Sequence, residues 1–450
     1  MVDVMRFRQD SSYRRVGSLV LAGSPLRMFR LSPGGLRVVE AIERGEEPAE
    51  GHERLTDRLI DAGAVHPLHE AGPFTASDVT AVSPVFNATA VAVPDVRTTI
   101  VVDDASEPPV EASTGVTVLR LARNCGPGPA RNVGLQRVTT DLVAFVDSDV
   151  RCPDGWLEPL LVHFDDARVA LVAPRVVASG GSASTLGAYE RSNGPLDLGD
   201  EAARIDAGTR VSYVPAAAIV CRVDAVRSIG GFDPTLRFGE DVDLVWRLRQ
   251  AGWRCRYEPA SSVNHEPRPT LGEWARQRVG YGSSAAPLAV RHPGALAPLR
   301  MSGWSAGVWA LVALRRPLLA LGLAGWTCRA LQRKLTDLPA QEAWRLAGLG
   351  HLFAGRQVAS AITRTWWPLA LVAGLLFPRL RPALVAAAVV PALLDARSPD
   401  VTVDPVRYTL LRIADDAAYG AGVWRGVVRQ RSAAALRPSF TNWPPRRAGG

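Results

Sequence analysis

Between residues 77 and 290, short β-branched runs alternate with segments of helical spacing, and this alternation constrains the fold more than any other feature of the chain. The strand-like runs are "DVTAVSPV", "RTTIVVDDAS", "GVTVLRL", "DLVAFVDSD", "VALVAPRVV" and "RVSYVPAAAIVCR". The helical ones are "GPARNVGLQRV", "GWLEPLLVHF" and "EDVDLVWRLRQAG". Helical crossovers between strands favour parallel neighbours, so the pattern predicts a parallel or mixed sheet in a doubly wound α/β domain. Such sheets bind ligands outside the carboxyl ends of their strands. Asp103, Asp104, Asp147 and Asp149 fall there.

The flanks follow different patterns. Residues 1–76 read as a small α+β module. "GSLVLAGSPLRMFRLS" alternates like a strand pair about a Gly-Ser-Pro turn, and "SPGGLRVVEAIERG" reads as a Ser-capped helix closed by Gly45. "ERLTDRLIDAGAV" repeats that helical plan, ending at Gly63. Two readings stand: a winged-helix-like module, or a cap packed on the next domain. Residues 295–450 are mostly helical and apolar, with runs such as "GWSAGVWALVAL" and "WWPLALVAGLLF" broken by Arg315-Arg316 or by Pro378-Arg379-Leu380-Arg381-Pro382. A spanning helix needs roughly 20 apolar residues, and no single run reaches that. Tryptophans 304, 309, 326, 366 and 367 recur near the run ends. Interfacial or re-entrant hairpins at the cytoplasmic face of a membrane are expected, against the alternative of a buried hairpin in a soluble domain. The catalytic part is thereby bounded at 77–294.

Net charge +8 suits an anionic partner. No zinc-finger, RNP or base-reading helix pattern occurs, so nucleic acid is not expected as a partner. Among 52 basic residues Lys334 is the only lysine. The five scattered cysteines form no Cys-x-x-Cys pair, which argues for a reducing compartment. "MVDVMRFRQD" places charges where a signal peptide needs its apolar core, so export by that route is not expected.

Strand alternation sends Asp147 and Asp149 to one side of the chain, where both can face one cation. Carboxylates so crowded call for a metal or a metal-bound phosphate between them. Arg131 stands at a helix start, a position suited to phosphate. Glu240, Asp241 and Asp243 precede a helix; its dipole explains Asp243 but not the adjacent Glu-Asp pair after Gly239. His265 ends a later strand.

The ordered motifs "DVTAVSPVFN", "TIVVDDAS", "NCGPGPARNVGL", "AFVDSD", "GGFDPTLRFGEDVDLVWRL" and "VNH" resemble the family 2 glycosyltransferases, which have the GT-A nucleotide-sugar-binding, Rossmann-like fold. With both flanks included, the chain is similar to those members that add glucose to a redox cofactor derived from a ribosomal peptide. Its first module resembles, more loosely, the peptide-chaperone domains of such pathways. The resemblance implies an inverting, metal-dependent transfer from UDP-glucose to a hydroxyl, using Mg2+ or Mn2+. It implies Asp241 as general base, with Glu240 the second candidate. Asp149 would hold the metal, with Asp147 on the metal or the ribose and His265 on the metal or diphosphate. Asp103 or Asp104 would bind the uracil and Pro84 would lie beside it, while Arg131 serves the donor. Pro215, Ala216 and Ala217 would line the acceptor site.

Two departures bear on this expectation. Only about ten residues separate "SPVFN" from "TTIVVDD", short for a parallel crossover. The first helix is therefore expected to be one turn, or the donor-side wall open. Polymerising relatives carry Gln-x-x-Arg-Trp near the acceptor, whereas this chain has Gln277-Arg278-Val279-Gly280-Tyr281. Arg276, Arg278 and Tyr281 are expected to substitute in part, Arg278 and Tyr281 as acceptor residues, and a few sugars added singly are expected. Two competing readings remain: a transferase for a lipid or polysaccharide acceptor, and a non-catalytic nucleotide-sugar and peptide binder.

Overall fold

A computed structural model describes residues 6–49, 51–69, 72–88, 96–111, 115–180 and 184–441. The chain forms two compact units, one of residues 1–182 with 193–267, the other of residues 183–192 with 268–450.

The first unit opens with β1 (Arg6–Gln9), β2 (Arg14–Val16), β3 (Leu19–Ala22), β4 (Arg27–Arg30), α1 (Pro33–Arg44), α2 (Glu53–Ala62) and β5 (Val65–Leu68). β2, β3 and β4 form an antiparallel sheet, and β1 pairs with β5. Ser32 Oγ accepts from the Gly35 amide to start α1, and Gly45 in the left-handed region ends it. Val20, Val39, Leu59 and Val65 lie in the apolar core of these elements. Beyond that core, Arg254 is bound by Asp57 and Asp61 of α2 and by Asp166.

The main sheet contains β6 (Val79–Val85), β7 (Thr98–Asp103), β8 (Val116–Arg120), β9 (Leu142–Val146), β10 (Val150–Arg151), β11 (Val169–Ala178), β12 (Ala203–Arg204), β13 (Ala218–Arg222) and β14 (Arg254–His265). The order is β10-β14-β11-β13-β9-β6-β7-β8, with β12 on β14. β9, β6, β7 and β8 run parallel, whereas β13 is antiparallel to both β9 and β11. The sheet is therefore mixed. β9, "LVAFV", is buried at every residue, as a central strand covered on both faces must be. Its helices are α3 (Pro127–Leu135), α4 (Glu158–Leu161), α6 (Val223–Ser228) and α7 (Glu240–Gln250). The connection from β6 to β7 occupies residues 86–97; the expected single-turn helix or open wall falls on 89–95, outside the described residues.

The second unit is helical: most of α5 (Thr185–Asn193), then α8 (Leu271–Ser283), α9 (Ala285–Arg291), α10 (Gly303–Ala313), α11 (Pro317–Lys334), α12 (Ala340–Ser360), α13 (Trp367–Leu376), α14 (Arg381–Asp395) and α15 (Pro405–Gln430). A parallel pair, β15 (Arg300–Ser302) and β16 (Ser439–Thr441), accompanies them. α8 and α15 touch through glycines: a Cβ on Gly282 would sit 1.9 Å from the Tyr419 carbonyl oxygen. Among the described residues no helix is long and apolar enough to cross a membrane. Trp309 and Trp366 are structural rather than free for an interface, since their Nε1 atoms donate to the His351 and Leu436 carbonyls.

Candidate active site

Three local rules bring the acids to one edge of the sheet. β6, β7 and β9 are parallel, so their carboxyl ends share that edge. β13 is antiparallel, and its first residue pairs with the last of β9 (Ala218 with Val146), so the segment before β13 arrives there too. β10 pairs with the end of β14, Val150 opposite His265, which sets the histidine beside the turn that follows β9.

At the centre is Arg131 on α3, 2% exposed. Its guanidinium donates to Glu240 Oε1 at 2.9 Å, to Asp147 Oδ1 at 2.6 Å and to the Ala216 carbonyl at 3.4 Å. The guanidinium also stands over the Phe232 ring, 5.3 Å from its centroid. Among the described residues Arg131 Nε has no hydrogen-bond partner. One cation thus links the acids after β9 to those opening α7. Asp241 accepts from the amides of Ala216 (3.2 Å) and Val242 (2.8 Å), and the Asp147 amide donates to the Ala217 carbonyl at 2.8 Å. Residues 215–217 are buried and act here as a backbone strut between the two acid groups, rather than as an open platform.

Asp149 keeps a partly open side chain, and His265 Nε2 lies 3.4 Å from its Oδ2. Burial pushes the Asp147 carboxyl above its ordinary range, Arg131 opposes the shift and Asp149 adds to it. Glu240 rises to about 7 through burial and the neighbouring charge of Asp241, against Arg131. Asp241 is likewise raised, by burial first. Of the four carboxylates at this edge, Asp147 and Glu240 pair with the one guanidinium, which leaves a surplus of negative charge in a partly desolvated place.

That surplus, with two carboxylates and an imidazole as donors, fits a hard divalent cation. Among the described residues no group of three His, Cys, Asp or Glu is gathered to hold a metal by protein atoms alone. Asp147 gives Oδ1 to Arg131, so Asp149 and His265 are the nearest donor pair and a cation there needs further oxygens from a bound ligand or water.

The remaining sequence-derived positions separate. Asp103 is fully buried and accepts from the Ser106 and Val110 amides and from Arg120, pinning its own loop. Asp104 accepts from the Cys125 and Gly126 amides at 2.7 and 2.8 Å, tying β7 to the turn before α3. Both carboxylates therefore hold loops at this edge of the sheet. Pro84 pairs in register with Val102 inside the sheet. Arg278, expected to contact the acceptor, is 1% exposed in the second unit and bound to Glu190 and Asp415. Its guanidinium is occupied there, and Tyr281 follows it on α8, half-buried. Sequence reasoning missed Phe232, Arg120 and Asn132. Asn132 clamps Phe232 by bonds to its amide and carbonyl (2.8 and 2.7 Å); its adjacency to Arg131 in "GPARN" was the available signal.

The model for "Glycosyl transferase family 2" matches residues 94–226. The chain is 43% identical over 451 residues to the pre-mycofactocin glycosyltransferases of two Mycobacterium tuberculosis strains, covering 94% of this chain and 95% of each relative. A mouse protein, polypeptide N-acetylgalactosaminyltransferase 15, is 27% identical over 190 residues, 37% of this chain and 30% of its own length. Among solved structures, the mannosyltransferase PcManGT from Pyrobaculum calidifontis in complex with GDP-Man and Mn2+ aligns over 79% of this chain and 89% of its own, at 15% identity and TM-score 0.40.

Proposed function

This chain belongs to the pre-mycofactocin glycosyltransferases, a group within glycosyl transferase family 2, and from that premise we propose that it transfers glucose from UDP-glucose, with inversion, to a hydroxyl of the peptide-derived redox cofactor mycofactocin. That it is an α/β glycosyltransferase of the GT-A type follows from the family; donor, stereochemistry and acceptor are the finer reading. The observation carrying it is the ion-paired bridge Asp147–Arg131–Glu240, which sets the acids after β9 beside Asp241.

A divalent cation, Mg2+ or Mn2+, held by Asp149 and His265 with Asp147 beside them, would neutralise the charge that develops on a departing diphosphate. The protein's own part is acid–base chemistry. Asp241 takes the proton of the attacking hydroxyl; its two oxygens are aimed by the Ala216 and Val242 amides, and burial makes it more basic than a surface aspartate. As the acceptor oxygen bonds to C1, the C1–O bond to the diphosphate breaks and UDP leaves. One base and no covalent intermediate give a β-linkage from an α-linked donor. Arg131 cannot also reach the donor phosphates without giving up these ion pairs, so we assign it to holding the acids. The N-terminal module is assigned to the peptide-derived part of the acceptor.

Transfer assayed with UDP-glucose and competing sugar nucleotides, with and without Mn2+ or a chelator, tests this reading. Asp241→Asn is expected to lower kcat by about 10²–10⁴ with little change in donor affinity, the range for a lost general base. Asp149→Ala is expected to raise the metal concentration needed for donor binding, measured calorimetrically. Unchanged kcat in the first variant refutes the assignment of the base.

A further inference from the structure

The second unit carries apolar surface that its own packing does not use. α13 buries none of its residues, and α14 buries only Ala392. Leu371 and Leu375 on α13 and Val385 and Val390 on α14 stand in solvent, Leu375 at 74% exposure. The preceding hairpin does the same, with Leu318 at 81% and Leu321 at 69% on α11. A water-facing helix normally shows a polar outer face; here the outer faces are leucine and valine. Their extent exceeds the scattered single exposures that need no explanation.

Charge says what covers this surface. Residues 301–400 hold eleven basic side chains against four acidic ones, nearly all of the chain's excess of +8. Six of these cations stand at helix joins: Arg315 and Arg316 between α10 and α11, Arg333 and Lys334 at the end of α11, Arg379 and Arg381 between α13 and α14. Trp304 and Trp326, half exposed, meet at a tilt with ring centroids 4.8 Å apart. Apolar faces bounded by arginine and tryptophan match the boundary between acyl chains and anionic headgroups. A soluble protein partner would match the leucines but gives no reason for paired cations to stand at three of the joins.

Geometry sets the depth. α13 has 10 residues, hence about 15 Å of helix, half of the ~30 Å hydrocarbon core. Inserting the α13–α14 turn end-on would drag Arg379 and Arg381 into hydrocarbon, which is costly. Lying flat leaves both at headgroup level.

We propose that α10, α11, α13 and α14 dock this chain flat on an anionic bilayer surface, without crossing it. Docking of this kind does not depend on which sugar the catalytic domain transfers. Flotation of the full chain with phosphatidylcholine vesicles, with and without phosphatidylglycerol, tests it. The chain is expected to float with the anionic vesicles. The Arg379→Glu/Arg381→Glu variant and high salt should each weaken that binding by at least about tenfold. Leu371→Glu/Leu375→Glu should abolish it while leaving the thermal melt unchanged, since both side chains are exposed. Protease added outside sealed vesicles should leave no protected fragment; such a fragment refutes flat docking. Failure to float with anionic vesicles refutes the proposal, as does a stable dimer in solution that Leu371→Glu dissociates, because a second copy then covers the face.

Discussion

Arg131 is the residue on which the acidic edge depends. It sits 98% out of solvent between Asp147 and Glu240, and a buried pair that loses one member leaves a charge uncompensated, typically at about 3–5 kcal/mol. Arg131→Met is therefore expected to destabilise strongly in urea melts at pH 8 and less at pH 5, where the two carboxyls can take up protons. Arg131→Lys should recover part of the stability but not the two-sided geometry. The wild-type acids also set a pH trend of their own. Glu240 moves from an ordinary 4.5 to about 7 in the folded protein, so between those values the native state holds the extra proton. Stability from this group is greatest below 4.5 and declines as pH rises towards 7. Glu240→Gln should flatten that decline in metal-free melts, and added Mn2+ with UDP should oppose it.

At the scale of elements, the site depends on how closely α3 lies on the sheet. A Cβ on Gly134 would come within 2.3 Å of Val82 Cγ1, so only glycine lets the helix settle on β6. Gly134→Ala is expected to cost about 1–3 kcal/mol by overpacking and, by lifting Arg131 away from Asp147 and Glu240, to lower transfer, measured by thermal melts and activity. Strand and helix identity was legible in residues 77–250 because β-branched runs and 3.6-residue spacing are local signals. Ser32 and Gly45 bounded α1 for the same reason. The antiparallel setting of β13 was not legible: "AIVCR" looks the same whichever way it pairs, and only its neighbours decide. That one reversal carries Ala216 and Ala217 to the acids.

For the whole molecule, ion pairs beyond the site join the N-terminal elements to the sheet. Arg254 on β14, 6% exposed, binds Asp57, Asp61 and Asp166, and Asp166 is held at about 2, where burial is outweighed by the Arg254 bond, the Arg168 amide and the two arginine charges together. Arg254→Met should therefore destabilise the first unit at pH 7 and lose that effect as pH falls from 3.8 towards 2, checked by melts across that range. By itself the sequence determined the alternating α/β plan, the acids at the strand ends, the Glu-Asp step at a helix start and the apolar, arginine-punctuated helices, because each is written in near neighbours. Tertiary structure alone decided that Arg131 holds carboxylates, that Asp103 and Asp104 brace loops, and that Arg278 is buried with Glu190 and Asp415. Asp103 also has the nearby Ser106 and Val110 amides, but the other partners lie from 16 to 137 residues away, and no local pattern encodes their approach.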